Sequence, residues 1–144
     1  MRNEFAKDFP STDGATIPTY STEATRDFYT RTWESGTRHS TVVVRHVKDA
    51  KLAAYTAVQF KEGSTAAAQQ SPWVAKDFRG HHLSTLAKTA NALTLAKKGF
   101  RYIDTENATN NVEMLATNRR LGFYLRGCEG DFVSVYRNGT WTSA

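Results

Sequence analysis

The chain has 144 residues, of which 40% are hydrophobic and 23% are charged, with a formal net charge of +5. This length suits one domain with one core, and no window approaches the roughly 18 apolar residues of a membrane span. Because Cys128 is the single cysteine, an internal disulfide and a multi-thiolate metal site are excluded. The opening stretch MRNEFAKDFP lacks the apolar run of a signal peptide, so we expect a cytoplasmic protein with no membrane partner.

The positive net charge favours an anionic partner, such as nucleic acid, a phosphorylated cofactor or an acidic substrate. The basic residues are scattered, with short clusters at Lys97-Lys98 and Arg119-Arg120. No basic stripe of the kind found on nucleic-acid-binding surfaces is present, which argues against a nucleic-acid partner.

The first part of the chain predicts an irregular arm and then a helix. Residues 1–20 are rich in Ser and Thr and lack periodicity, so we expect an arm there and a single domain over 21–144. The apolar residues of TEATRDFYTRTWES, residues 22–35, lie near helical spacing, and Gly36 is a stop signal.

Three strands are predicted next. The β-branched run 39–47 and the alternating run 52–60 form an antiparallel hairpin around a turn at 48–51. A third strand is predicted over 66–75, although Pro72 removes one ladder hydrogen bond from it.

A long amphipathic helix is predicted over 82–97, ended by Gly99. Its apolar face consists of Leu83, Leu86, Ala87, Ala90 and Leu93.

The last part of the chain predicts a strand, a helix and a strand. The strand covers 100–107, and the helix covers 110–123 with Asn110 as its cap and Glu113 three residues on. The final strand covers 131–137 and precedes an Asn-Gly turn signal.

The junction between the third strand and the long helix is a candidate anion site. The first N–H groups of a helix lack intrahelical partners and lie at the positive end of its dipole, where a pyrophosphate fits. Gly80 allows close approach of the backbone, and Arg79 adds charge. A metal site formed by His81 and His82 is less favoured. The side chains of adjacent residues at a helix start diverge, and no acidic residue is spaced to complete the site.

The second helix presents two amides on one face. Asn111 and Asn118 are seven residues apart, with Met114 and Leu115 between them. These amides could hydrogen-bond an amide-containing ligand, or they could be exposed or act as caps.

Three segments of the chain form a specific combination of motifs: VAKDFRGHHLSTLAK, the strand IDTEN, and NNVEMLATNRRLGF. Together they resemble the GNAT superfamily of N-acetyltransferases, and in particular one half of the tandem-GNAT acetyltransferases. The resemblance implies an α/β (α+β) fold with a mixed, mostly antiparallel central sheet and helices on both faces. The family loop is written Arg/Gln-x-x-Gly-x-Gly/Ala, so His82 stands in the place of its first glycine and Ser84 in the place of its second.

The resemblance implies acetyl-CoA as the cofactor and transfer of its acetyl group to a primary amine by direct attack. The backbone of residues 78–84 would bind the pyrophosphate, and strand residues would pair with the pantetheine arm. A main-chain N–H near Val74 would stabilise the oxyanion. The candidate cofactor-binding residues are Trp73, Val74, Phe78, Arg79, Gly80, His81, His82, Leu83, Ser84, Asn107 and Asn111.

The acid and base are less clearly marked than the cofactor site. Glu106 is the preferred base, with Asp104 and His81 as alternatives. Asn118 stands where many family members have tyrosine, and an amide there could hydrogen-bond the sulfur without donating a proton. Tyr124 is a substitute acid, or a packed aromatic residue.

Two other functions remain open from the sequence: a GNAT-like protein that binds CoA without catalysis, and a basic nucleic-acid-binding module. The acceptor of the acetyl group would be a small-molecule or peptide amine. Since the chain carries one half of the tandem arrangement, we hypothesise that two copies pair as a homodimer. No metal is expected.

Overall fold

The structure is a computed structural model that describes residues 19–70, 72–129, 134–137 and 140–143. The predicted arm over 1–20 falls almost wholly outside these residues. The first described helix, α1, covers Thr22–Glu34, as predicted. Ser21 caps it, because its Oγ accepts a hydrogen bond from Ala24 N at 3.0 Å, and Gly36 follows its end with φ +78°.

The predicted hairpin is confirmed, with strand β1 at Thr37–Arg45 and strand β2 at Leu52–Lys61. Asp49 stabilises the turn between them. Its Oδ1 accepts a hydrogen bond from Lys51 N at 3.2 Å and lies 2.8 Å from His46 Nδ1. The His46 contact, followed by those of Lys51, holds the pKa of Asp49 well below its usual range.

The prediction of one continuous third strand over 66–75 is wrong, because the structure has two short strands there. Strand β3 covers Ala66–Gln69, and strand β4 covers Trp73–Val74. Both pair antiparallel with β2, at Val58↔Gln69 and at Tyr55↔Trp73. Between these two pairs the β3–β4 segment advances four residues while β2 advances three, which is the signature of a β-bulge. Pro72 lies inside this bulge and needs no ladder donor there.

A short 3₁₀ turn, Lys76–Phe78, leads into helix α2, which covers Leu83–Lys97. The helix ends in a Schellman motif, in which Phe100 N donates to Leu95 O at 3.1 Å and Gly99 has φ +88°. Both ends agree with the prediction.

Strand β5 covers Tyr102–Asp104 and runs parallel to β3, and it is shorter than the predicted strand over 100–107. Helix α3 covers Val112–Arg120. Its N-cap is Asn111 rather than Asn110, because Asn111 Oδ1 accepts the hydrogen bond from Met114 N at 3.2 Å.

Near the C-terminus, strand β6 at Ser134–Arg137 pairs antiparallel with strand β7 at Thr140–Ser143. The prediction placed a strand over 131–137, of which 131–133 lie outside the described residues, and it missed β7. The main sheet has the order β1-β2-β3-β5, with β4 also on β2. The predicted fold class, a mixed and mostly antiparallel sheet with flanking helices, is confirmed.

The core lies between α2 and the sheet. Val58, Ala67 and Leu95 form its centre. The predicted apolar face of α2 is wrong in part, because Leu86 is 57% exposed and Leu93 is 59% exposed, whereas Ala87 is buried as predicted. The buried residues of α2 are Ala87, Lys88, Asn91 and Leu95. Among the described helices, none is both long enough and apolar enough to cross a membrane.

Candidate active site

A gap opens between two strands that start side by side. β3 and β5 are paired in parallel from Ala66↔Tyr102 to Ala68↔Asp104. Beyond this point the bulge brings β4 onto β2, and no described strand pairs with the other edge of β4. The C-terminal ends of two parallel strands therefore separate, and each is followed by a loop and a helix.

The main chain of Val74 faces this gap. Ala75 N donates to Ala53 O at 2.9 Å, so Ala53 and Ala75 form a hydrogen-bonded pair of the antiparallel ladder. Such pairs alternate with non-hydrogen-bonded ones, so the pair Ala54↔Val74 directs its N–H and C=O groups away from each other. Val74 O accepts from Arg79 Nε at 3.2 Å, and Val74 N–H points toward the open edge.

The main chain of Trp73 faces the opposite way. Trp73 and Tyr55 form the next hydrogen-bonded pair, so its N–H and C=O groups point toward β2. The predicted main-chain contact of Trp73 with a ligand is therefore wrong, and that contact falls on Val74 alone. The Trp73 ring packs against Tyr55, with centroids 6.0 Å apart.

The loop before α2 presents a run of backbone N–H groups. Phe78 N and Arg79 N already donate to Ala75 O and Lys76 O in the 3₁₀ turn, which corrects the prediction that both amides are available. The following N–H groups, from Gly80 to Ser84, have no acceptor among the described residues. They lie at the positive end of the α2 dipole.

The first residues of this run of amides are open to solvent. Gly80 has φ +80°, and a Cβ added to it would meet no heavy atom within 4 Å. The side chains of His81 and His82 are exposed, and His82 makes no side-chain capping hydrogen bond. The amides are therefore accessible to an anion from solvent.

A buried lysine joins the two helices that follow β4 and β5. Lys88 on α2 is 3% exposed, and Asn118 on α3 is 5% exposed. Lys88 Nζ donates to Asn118 Oδ1 at 2.5 Å and lies 5.6 Å from the centroid of the Phe123 ring. Burial lowers the pKa of Lys88 to about 8, because removal from water penalises its charged form.

No protein-family model matches the chain, and no curated protein matches it. The solved structures similar to it include a tandem GNAT protein from the clavulanic acid biosynthesis pathway, at 33% identity and TM-score 0.65, covering 69% of this chain. A ribosomal-protein-alanine N-acetyltransferase from Brucella melitensis has 13% identity and TM-score 0.66, and covers 97% of this chain and 83% of its own. A Bacillus subtilis acetyltransferase in complex with CoA has 14% identity and TM-score 0.60, and covers 82% and 78%.

The chain belongs to the GNAT superfamily. It spans 32% of the length of the tandem GNAT protein.

In the GNAT loop pattern, His82 stands in the place of the first glycine. It has φ 56° and ψ 22°, the left-handed conformation that glycine adopts without strain. The backbone at His82 therefore keeps the conformation that a glycine would adopt, and the imidazole is carried outward. Ser84, in the place of the second glycine, has a buried Oγ without a hydrogen-bond partner among the described residues.

The predicted site residues that follow β5 come together less closely than those that follow β4. Asn111 Oδ1 is occupied as the α3 cap, and Asn107 Nδ2 lies 3.4 Å from Thr105 Oγ1. Glu106 follows β5, is exposed, and has no hydrogen bond or ion pair within the described part of the chain. Tyr124 is 83% exposed, so its alternative reading as a packed aromatic residue is wrong.

The remaining titratable candidates are at the surface. Asp104 forms an ion pair with Arg126 Nη1 at 3.2 Å, with both side chains more than half exposed. Cys128 is a free, exposed thiol. Among the residues that the structure describes, no three His, Cys, Asp or Glu side chains are grouped to hold a metal.

Lys88 is the residue that the sequence analysis missed. It lies on the same helical face as Ser84, Asn91 and Leu95, at spacings of four, three and seven residues. Its residue type gave no sign of an interior position, because lysine is almost never fully buried.

Proposed function

We propose that the chain is an acetyl-CoA-dependent N-acetyltransferase that transfers the acetyl group to a primary amine by direct attack within a ternary complex. The observation that carries this proposal is the run of free amides from Gly80 to Ser84 at the start of α2, next to the open edge of β4. The Bacillus subtilis relative in complex with CoA supports the choice of cofactor.

The residues present fit the cofactor. A diphosphate is a strong acceptor, and the N–H groups of Gly80–Ser84 are donors that no described residue uses. Gly80 leaves the space that close approach of a phosphate requires. Val74 N–H is a donor for an acyl oxygen or for a pantetheine amide aligned along β4.

Bound in this cleft, acetyl-CoA supplies an activated thioester, and the chain contributes position and electrostatics. Gly80–Ser84 hold the diphosphate, and Val74 N–H orients and polarises the acyl group. Arg79 fixes this geometry, since its guanidinium ties the loop to Val74 O. Glu106, exposed just beyond β5, is the proposed base that takes the proton of the attacking amine.

A groove beside the cleft is the proposed entry for the acceptor. It has a volume of about 270 Å³ and crosses the sheet from β1 to β5. Gln59, Ala68 and Asp104 lie in one row across it. Its lining holds Lys61 as well as Asp104, and Asp104 pairs with Arg126, so the groove suits an amine on a small molecule or a peptide without selecting for its charge.

We also infer that two copies of the chain pair. Leu86 and Leu93, seven residues apart on α2, are both more than half exposed and share one helix face. Analytical ultracentrifugation across a hundredfold range of concentration tests this inference. A monomer at every concentration contradicts it.

Calorimetric titration with CoA and a thiol-release assay with a panel of amines test the proposed function. Gly80→Ala places a Cβ where the diphosphate would lie, so CoA affinity should fall at least about tenfold. Gly63→Ala is the matched control, because Gly63 has φ +76° and equally open surroundings but lies in the β2–β3 loop. No CoA binding by the unaltered chain refutes the proposal. CoA binding without turnover of any amine supports the alternative, a GNAT-like protein that binds CoA without catalysis.

A further inference from the structure

Helix α2 buries a polar strip on the face that it packs against the sheet. Ser84, Lys88 and Asn91 all contribute to this strip. Asn91 has an evident structural use, since its Nδ2 donates to Ser40 O on β1 at 3.0 Å. Lys88 has no comparable link to the sheet, so its burial calls for another explanation.

The hydrogen-bonding capacity of Lys88 is largely unused. An ammonium group has three donors, and Asn118 Oδ1 is the one hydrogen-bond acceptor for Lys88 Nζ within the described residues. No described carboxylate pairs with it, and desolvation is the one cause that shifts its titration. A buried cation with spare donors is costly unless an anion or a strong acceptor joins it. The Phe123 ring, 5.6 Å away, supplies a weaker stabilisation of the charge.

The position of the pair relates it to the cleft. Lys88 belongs to the helix that follows β4, and Asn118 belongs to the helix that follows β5. Their hydrogen bond thus spans the two strand–helix units whose strands separate to form the cleft. Lys88 also lies one turn after Ser84, the last residue of the free amide run, and Ser84 Oγ on the same face is unpartnered.

We propose that Lys88 donates the proton to the sulfur of the departing coenzyme A, and that Asn118 positions Lys88 for this transfer. This inference rests on the proposed function. As the acceptor nitrogen forms its bond to the acyl carbon and the carbon–sulfur bond breaks, the sulfur takes a proton from Lys88 Nζ. The products are the amide, a thiol and a neutral lysine amine. The acceptor nitrogen loses its own proton to Glu106 or water, and solvent then returns a proton to Lys88, so charge and protons balance.

The acid–base properties of Lys88 suit this role. Its pKa of about 8 lies close to that of a thiol, about 8.5, so proton transfer between nitrogen and sulfur is nearly balanced in free energy. An ordinary surface lysine, with a pKa near 10.4, would hold its proton more tightly. Asn118 Oδ1 accepts a hydrogen bond from Lys88 Nζ. This contact favours Lys88 as a proton donor rather than as a base.

Binding measurements test the contact with sulfur independently of turnover. The probes are CoA and desulfo-CoA, which lacks the sulfur. For the unaltered chain at pH 8 we expect CoA to bind about tenfold more tightly, as one charge-assisted hydrogen bond provides. Lys88→Met should remove this preference, whereas Lys97→Met, at the exposed C-terminal end of the same helix, should retain it.

Kinetics test the transfer itself. Lys88→Met should lower kcat about a hundredfold, at the low end of general-acid effects because thiolate is a tolerable leaving group, with KM for acetyl-CoA changed less than about twofold. Asn118→Ala keeps the lysine and should shift both readouts the same way to a smaller extent. It therefore also tests the inference if Lys88→Met does not fold.

The outcomes separate the inference from the proposed function. If both ligands bind the unaltered chain equally well, or if the preference for CoA survives in Lys88→Met, the inference is wrong and the proposed function stands. If neither ligand binds the unaltered chain, the proposed function is wrong and the inference is wrong with it.

Discussion

Lys88 Nζ and Asn118 Oδ1, 2.5 Å apart, connect α2 to α3 inside the protein. The hydrogen bond satisfies only part of the ammonium, and burial lowers the pKa of Lys88 from 10.5 to about 8. A lowered lysine pKa means that the folded state disfavours the proton relative to the unfolded chain. This arrangement therefore costs stability at neutral pH.

The first prediction is that stability depends on pH through Lys88. Below about pH 8 the lysine is protonated in both states, so the cost of burying its charge is fully present. Between pH 8 and pH 10.5 the unfolded chain retains a proton that the folded chain has released, so the free energy of unfolding rises with pH. The slope from this residue should be at most about 1.4 kcal/mol per pH unit.

Urea denaturation of the unaltered chain and of Lys88→Met, at four values of pH from 7 to 10, measures this effect. At pH 7 we expect Lys88→Met to be more stable by roughly 1–4 kcal/mol, since an apolar residue replaces a buried charge. The difference should shrink as pH rises. Lys97→Met should give a difference that is small and independent of pH, and a constant difference for Lys88→Met would contradict the prediction.

The second prediction concerns the left-handed backbone at His82. Left-handed geometry costs a residue with a Cβ roughly 1–2 kcal/mol, whereas the extra freedom of glycine in the unfolded chain costs roughly 0.5–1 kcal/mol. His82→Gly should therefore raise the free energy of unfolding by up to about 1.5 kcal/mol.

Its neighbour provides the control. Among the described residues other than glycine, positive φ occurs at Ala50 and His82, so His81 is not strained in this way. His81→Gly should lower the free energy of unfolding by about 0.5–1 kcal/mol. Equal effects of the two substitutions in chemical denaturation would show that the strain at His82 is absent.

The local signals of the sequence predicted the elements well. A glycine with positive φ follows each of the helices α1, α2 and α3, as expected of glycine at that position: Gly36, Gly99 and Gly122. A helix end depends on a few adjacent residues, which is why its signal can be read directly. The hairpin of β1 and β2 was predictable for the same reason, because alternation and a short turn determine its pairing.

The candidate site depended on longer-range packing, and the sequence analysis recovered only part of it. The loop from Gly80 to Ser84 was found from motif and helix physics. Lys88 was missed because hydrophobicity assigned Leu86 and Leu93 to the core face, whereas the face that carries Lys88, Asn91 and Leu95 is the buried one. The elements that pack against a helix decide which of its faces is buried. In α2 a strip of polar side chains takes part of the place of the predicted apolar face.

The third prediction concerns Gln69, which holds the β3–β4 bulge in place. Its Nε2 lies 2.6 Å from Thr56 Oγ1, 2.7 Å from Ala57 O and 2.7 Å from Gln70 O. Gln69→Leu keeps a similar volume but removes the amide donor. Ala57 O still accepts from Gln70 N at 2.8 Å, whereas buried Thr56 Oγ1 and Gln70 O lose this partner, so the free energy of unfolding should fall by about 1–3 kcal/mol.

Gln69→Glu should be worse at neutral pH, because a carboxylate would face two carbonyl oxygens, with only the Thr56 hydroxyl able to donate to it. Its folded pKa would be raised, so the penalty should decrease as pH falls and the carboxyl group gains a proton that it can donate. Denaturation at pH 5 and pH 8 measures this difference, which has the opposite sign to the pH dependence from Lys88.

Gln70→Leu is the matched control for the bulge. The Gln70 side chain is half-buried and makes no hydrogen bond within the described part of the chain, so its loss should change stability by less than about 0.5 kcal/mol. Because the bulge turns β4 away from β5 and leaves Val74 N–H facing the cleft, Gln69→Leu should also weaken CoA binding, and Gln70→Leu should not. Loss of stability without any change in CoA affinity would show that the bulge supports the fold and not the cofactor site.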